Sequence, residues 1–193
     1  MLLIQLLPIG HLEESLLADL AEGLKSAIGA GQVNCCILPT RLNAEFAFHP
    51  ERQQYSSSEI LARMCAAAAA ASEIAPRRIS AWRILGVAAV DLYIPVLTFV
   101  FGEAMVGGTC AVVSTHRLRE EFYGLPEDPA VLRQRLVKEA LHEFGHTLSL
   151  PHCDDYSCAM ASSHSVERID LKMDRFCGQC STLLNSSKSA VGR

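Results

Sequence analysis

His142, Glu143 and His146 open the stretch His-Glu-Phe-Gly-His-Thr-Leu-Ser-Leu-Pro-His, which ends at His152. On an α-helix, histidines four residues apart point the same way, because four residues make just over one turn. Both imidazoles can then reach a single zinc ion, with Glu143 beside them and aimed at the water that the metal would hold. His152 must lie past the helix, after the chain has turned back. Three nitrogens and one open position suit a zinc that does chemistry, whereas a structural zinc is closed by protein ligands. Such a metal lowers the pKa of its water and polarises a carbonyl, while Glu143 takes the water's proton and passes it to the leaving amine. The competing reading is an amphipathic helix whose histidines only form hydrogen bonds. A third histidine at this offset weighs against it.

The helix that must carry these residues has local signals of its own. Asp128 is a good N-cap, Pro129 suits the first helical position, and the next proline is Pro151. Leu132, Leu136, Ala140 and Phe144 follow a four-residue stride, with Val137, Leu141 and Leu148 widening the apolar arc. His142 and His146 fall at the edge of that arc, so the helix can anchor in the core while they line a cleft. Glu139 lies on the histidine side one turn earlier, either as an acceptor orienting a ligand or as a solvated carboxylate. Ser149-Leu150-Pro151 ends the helix and returns His152 toward the metal.

A second constellation follows. Cys153 and Cys158 form one close pair, Cys177 and Cys180 another, and together they can supply a closed tetrahedral zinc site. Such a site would be structural and would hold together a small, loop-rich segment. The alternatives are two disulfides, disfavoured by the lack of a secretory signal, or thiols that simply pack. Because Cys153 directly follows His152, folding around this zinc could fix the third histidine of the other. Cys35, Cys36, Cys65 and Cys110 read as buried small hydrophobes. Met160 is either a filler or a methionine placed beneath the histidine site.

Alternating elements surround these motifs. Strands are expected near Leu2–Leu7, Gln32–Leu38, Arg83–Asp91, Thr98–Met105 and Gly108–Ser114, the last two joined like a hairpin. Helices are expected near Leu12–Ile28 and Ser58–Ser72, and a turn-rich stretch over Pro39–Tyr55. Strand–helix–strand order implies an α+β (mixed α/β) fold, a mixed sheet packed by helices. A chain of 193 residues fits a single domain. Residues 1–148 would form its sheet-and-helix part and 149–180 a short cysteine-bound subdomain, with 181–193 a frayed tail. The net charge of −4 argues against a nucleic-acid partner. Arg77-Arg78 and Arg117-Leu118-Arg119 read as solvated faces. The N-terminal apolar run lacks a positive leader and reads as a core strand. Asp91 and Pro95 break the Ile84–Phe101 stretch, so no membrane span is expected. The chain therefore reads as a cytoplasmic monomer.

The run from His142 to Cys180 resembles the archaemetzincins, a branch of the metzincin zinc metallopeptidases whose signature joins three histidines to four cysteines and a Cys-x-Met. Here the elements are His142-Glu143-x-x-His146, His152-Cys153, Cys158-Ala159-Met160 and Cys177-Gly178-Gln179-Cys180. The resemblance extends to Arg52-Gln53-Gln54-Tyr55, Leu85-Gly86-Val87, Asp91-Leu92-Tyr93-Ile94-Pro95 and Phe99-Val100-Phe101-Gly102. It implies a metzincin-like zincin fold, a twisted sheet with an antiparallel edge strand, and a peptidase, with aminopeptidase action among the possibilities. By it, His142, His146 and His152 would hold a catalytic zinc, Glu143 would be the general base, and Met160 would lie under the metal. The four cysteines would hold a second zinc. Phe101–Val106 would form the rim that receives an extended peptide, with Gly102, Gly107 and Gly108 allowing close approach or simply turning the chain. No residue is marked as the oxyanion donor; Tyr156 and His164 are candidates only by their nearness in sequence. One departure stands out: metzincins usually carry glycine where this chain has Ser149. The turn there favours left-handed backbone, which costs a residue with a side chain roughly 1 kcal/mol, so the reach of His152 depends on it. Other classes remain beside the peptidase: a zinc-binding scaffold with weak or no catalysis, and a zinc-finger nucleic-acid module, which the acidic balance disfavours.

Overall fold

Alternation in the first strand sets the architecture. In β1 (Leu2–Ile9), Ile4 and Leu6 are fully buried while their neighbours are partly exposed, as expected of a strand packed on both faces. β1 pairs in parallel with β2 (Val33–Ile37) and β5 (Trp82–Ala88). β5 pairs in parallel with β8 (Cys110–Ser114), and β7 (Gly102–Ala104) closes the sheet antiparallel to β8. The order is β2-β1-β5-β8-β7, so β7 is an edge strand. The structure, a computed structural model, describes residues 2–29, 31–74 and 82–190. Arg77-Arg78 lie outside them.

Helices cover both faces of this sheet. α1 (Glu14–Ile28) and α3 (Pro129–Thr147) bury Leu17, Leu20, Leu24, Leu136 and Phe144 against Ile4, Leu6, Leu85, Val87 and Val113. α2 (Ser57–Ile74) packs Ile60, Leu61 and Met64 against the opposite side chains Ile84, Cys110 and Val112. Every residue of β8 is therefore buried, which explains its unbroken apolar run. The fold is the mixed sheet with an antiparallel edge that the sequence implies, although β7 is shorter than the expected Thr98–Met105.

The stretch over Pro39–Tyr55 is more ordered than its turn residues suggest. β3 (Phe48–His49), β4 (Gln54–Ser56) and β6 (Leu92–Tyr93) form a small second sheet. Strands of two or three residues are too short for alternation to be read. This sheet steers the loop entering β7: Arg52 donates to the Leu97 and Thr98 carbonyls at 3.0 and 3.1 Å, and Gln54 donates to Thr98 and Asp91. Asp91 in turn takes two hydrogen bonds from Arg117, at 2.6 and 2.7 Å. Arg117 also stacks on Phe99, and Leu118 is fully buried, so this segment is a structural joint rather than the solvated face expected.

Beyond α3 the chain forms α4 (Val166–Leu171) and α5 (Gly178–Ala190). Residues 181–190 are thus helical where fraying was expected. Cys180 and Leu184 anchor them in a small core with Leu150, Cys158 and Met160. Arg135 on α3 staples this region through Asp170, and it also holds the Leu118 carbonyl and Glu120 of the segment before the helix. Among the described residues no helix is long and apolar enough to cross a membrane.

Candidate active site

Asp128 caps α3, its Oδ1 accepting from the Ala130 and Val131 amides at 2.9 and 3.0 Å. The last turns of this helix carry His142, Glu143 and His146. Ser149 then adopts φ 65°, the left-handed conformation expected there, and its N–H donates to the His146 carbonyl at 2.9 Å. This reversal brings His152 back, and ligand nitrogens of His142, His146 and His152 all lie within 4.8 Å of one another.

The second ring nitrogens decide what the cluster can hold. His142 Nδ1 lies 2.9 Å from the Ala159 carbonyl, and His146 Nδ1 lies 2.8 Å from the Leu150 carbonyl. A carbonyl only accepts, so each Nδ1 carries the proton and each Nε2 keeps a lone pair. The two Nε2 atoms nevertheless face each other at 3.1 Å. Converging lone pairs with no proton between them fit a cation. Burial is the main cause that lowers the pKa of all three imidazoles, of His142 most strongly, with Lys172 adding to it. The neutral form is the one a metal requires.

Glu143 is buried beside them. Burial, reinforced by Glu139, pushes its carboxyl well above the usual range, and Lys172 opposes the shift. Gly102 on the edge strand makes room for it: a Cβ there would lie 2.6 Å from Glu143 Cγ. Gly145 likewise makes room for Met160, since a Cβ there would collide with its sulfur. Met160 is fully buried under the end of α3, and its carbonyl accepts from the Cys153 amide at 3.0 Å.

The thiols of Cys153, Cys158, Cys177 and Cys180 also lie within 4.8 Å of one another, and all are free. The Met160 and Cys177 amides donate to Cys158 Sγ at 3.4 and 3.3 Å. This donor set fits a closed tetrahedral zinc. Of the other cysteines Cys110 is buried, while Cys35, Cys36 and Cys65 are only partly so.

A cleft of about 570 Å³ runs over the histidines, with residues 97–104 and Val106 as its rim and 162–164 among its walls. His164 lines it; Tyr156 does not, and stacks with Arg168 instead. Glu139 lines it too, but it is neither solvated nor bonded to a histidine: it accepts from Lys172 at 2.8 Å. Lys172 escaped the sequence reading, because it is a lone lysine 33 residues from its partner.

A mixed sheet whose antiparallel edge overhangs a histidine-bearing helix defines the class as a zinc metallopeptidase. Residues 30–186 match Peptidase family M54. The chain is 38% identical over 182 residues to the archaemetzincin of Thermococcus kodakarensis, covering 93% of this chain and 94% of that one. Among solved structures, a zinc-dependent peptidase from Methanocorpusculum labreanum superposes with a TM-score of 0.85 at 30% identity, over 94% of this chain and all of that one. The Archaeoglobus fulgidus archaemetzincin, solved with malonate, gives 0.74 at 32% identity, over 94% of this chain and 99% of that one. The chain belongs to family M54, the archaemetzincins.

Proposed function

We propose that the protein hydrolyses peptide bonds at the cleft, with His142, His146 and His152 holding one zinc and the four cysteines a second, structural one. The facing Nε2 atoms of His142 and His146 carry this reading, since two lone pairs converging at 3.1 Å suit a shared cation. When bound there, zinc supplies a Lewis acid and a water of lowered pKa. Glu143, buried beside the histidines, would be the residue that accepts a proton from the attacking water and returns it to the leaving amine. The free edge of β7 holds an extended peptide by strand addition, and Gly102 lets that edge approach Glu143. Met160 and the Ala159 carbonyl support the histidines from below.

The three histidines and the four cysteines each form a complete donor set, so neither cluster requires a partner subunit. Eight free cysteines support a reducing, cytoplasmic setting. The test is cleavage of a peptide library, with free and acetylated N-termini, by zinc-loaded protein beside Glu143→Gln. Product from the wild type alone is expected. Equal product from both would refute Glu143 as the base, and none from either at full zinc occupancy would leave a peptide-binding scaffold.

A further inference from the structure

Three ligands and a general base leave one demand of peptide hydrolysis without a residue of this chain. As water adds, the scissile carbonyl oxygen gains negative charge, and hydrogen-bond donors already aimed at it stabilise that charge. The cleft is poor in side chains that could serve. No lysine or arginine lines it, and its carboxyl groups are otherwise engaged. Glu103 accepts from the hydroxyls of Ser57 and Ser58, and Glu139 accepts from the buried Lys172.

His164 stands apart from these. It lines the cleft, it is exposed, and its ring makes no hydrogen bond among the described residues. The neighbouring Ser163 Oγ, by contrast, is closed off from solvent. His164 also lies within electrostatic reach of the third ligand. Burial is the first cause that lowers the His152 pKa, followed by the charges of Lys172 and His164. The chain around it is tied to the histidine cluster. The Ala159 carbonyl meets His142 Nδ1, the Ala161 N–H donates to the Cys158 carbonyl at 2.9 Å, and Ala161 and Val166 are both buried. Residues 162–165 therefore bridge two anchored points and carry His164 on the wall across from the β7 rim. An imidazole presents an N–H in either neutral tautomer and in its cation. That leaves His164 with a donor to spare, in the cleft, beside a ligand.

We propose that His164 is a catalytic residue whose ring N–H donates to the scissile carbonyl oxygen as that oxygen gains charge. The inference rests on the peptidase reading for the reaction, but binding tests it without turnover. Zinc-loaded protein is titrated calorimetrically with a set of short peptides in which a phosphinate replaces the scissile amide, and with their uncharged ketomethylene counterparts. The phosphinate carries charged oxygens where the reacting carbonyl would gain charge, so it binds more tightly than its counterpart. His164→Ala narrows that ratio about tenfold, with zinc content, melting and ketomethylene affinity unchanged. His164→Gln, which keeps N–H donors, recovers part of it. In cleavage assays His164→Ala lowers kcat and leaves KM in place, as loss of a contact made only in the transition state requires. A ratio unaltered by His164→Ala overturns the inference, as does a wild type that binds both peptides equally or binds neither. Parallel loss of both affinities also overturns it, since His164 would then only shape the cleft. Failure of the wild type to cleave, with the phosphinate ratio intact and dependent on His164, bears on the proposed function alone.

Discussion

Ser149 carries a backbone conformation that glycine adopts without strain, φ 65°. Left-handed backbone costs a side-chain-bearing residue roughly 1–2 kcal/mol, and glycine's greater freedom in the unfolded chain returns part of that. Ser149→Gly is therefore expected to stabilise the fold by about 0.5–1 kcal/mol in urea denaturation. The histidines should keep their metal affinity, because the turn itself is already formed. Thiol chemistry offers a second check at this scale. Burial pushes Cys35 up to about 11 and Cys65 up to about 12, so both are protonated at neutral pH. Their thiolate fractions, and hence alkylation rates, rise about tenfold per pH unit from pH 7 to 10. Cys177 goes the other way, lowered chiefly by the backbone N–H of Cys180. In metal-free protein it should be alkylated first, and zinc should protect it. Mass spectrometry of iodoacetamide-treated protein at stepped pH reads out both.

Among the elements, α3 was the most legible, because its cap, its stride and its terminating turn are all local. Asp128, Pro129 and Ser149 act where the sequence suggests. The small sheet β3-β4-β6 and the short helix α4 were not legible, since they are held by distant partners such as Arg52 with Thr98 and Arg135 with Asp170. Arg135 is the strongest of these joints, buried with three separate acceptor groups. Arg135→Ala leaves those acceptors uncompensated and should cost about 3 kcal/mol in chemical denaturation. Asp170→Ala, at a half-exposed partner, should cost nearer 1 kcal/mol.

At the scale of the molecule, the two candidate metal clusters are coupled in one direction. The segment Cys158-Ala159-Met160 donates an amide to the Cys158 thiol, offers its Ala159 carbonyl to His142, and lies beneath Gly145. Loss of the cysteine-held zinc by Cys158→Ser should therefore weaken metal binding at the histidines as well. Replacing His142 and His146 by alanine should leave the cysteine site loaded. Metal stoichiometry of the two variants measures this asymmetry, and equal loss in both would show that the sites fold as a unit.

Local spacing specified the chemistry. Ligands on one helix face, thiol pairs and the strained turn depend on near neighbours, and a residue's neighbours in the chain are written in its order. Only the tertiary structure could decide which carboxylate becomes a buried pair with Lys172, that three short segments pair into a second sheet, and that the tail winds into a helix. Those outcomes depend on the burial of groups far apart in sequence, where desolvation outweighs local propensity.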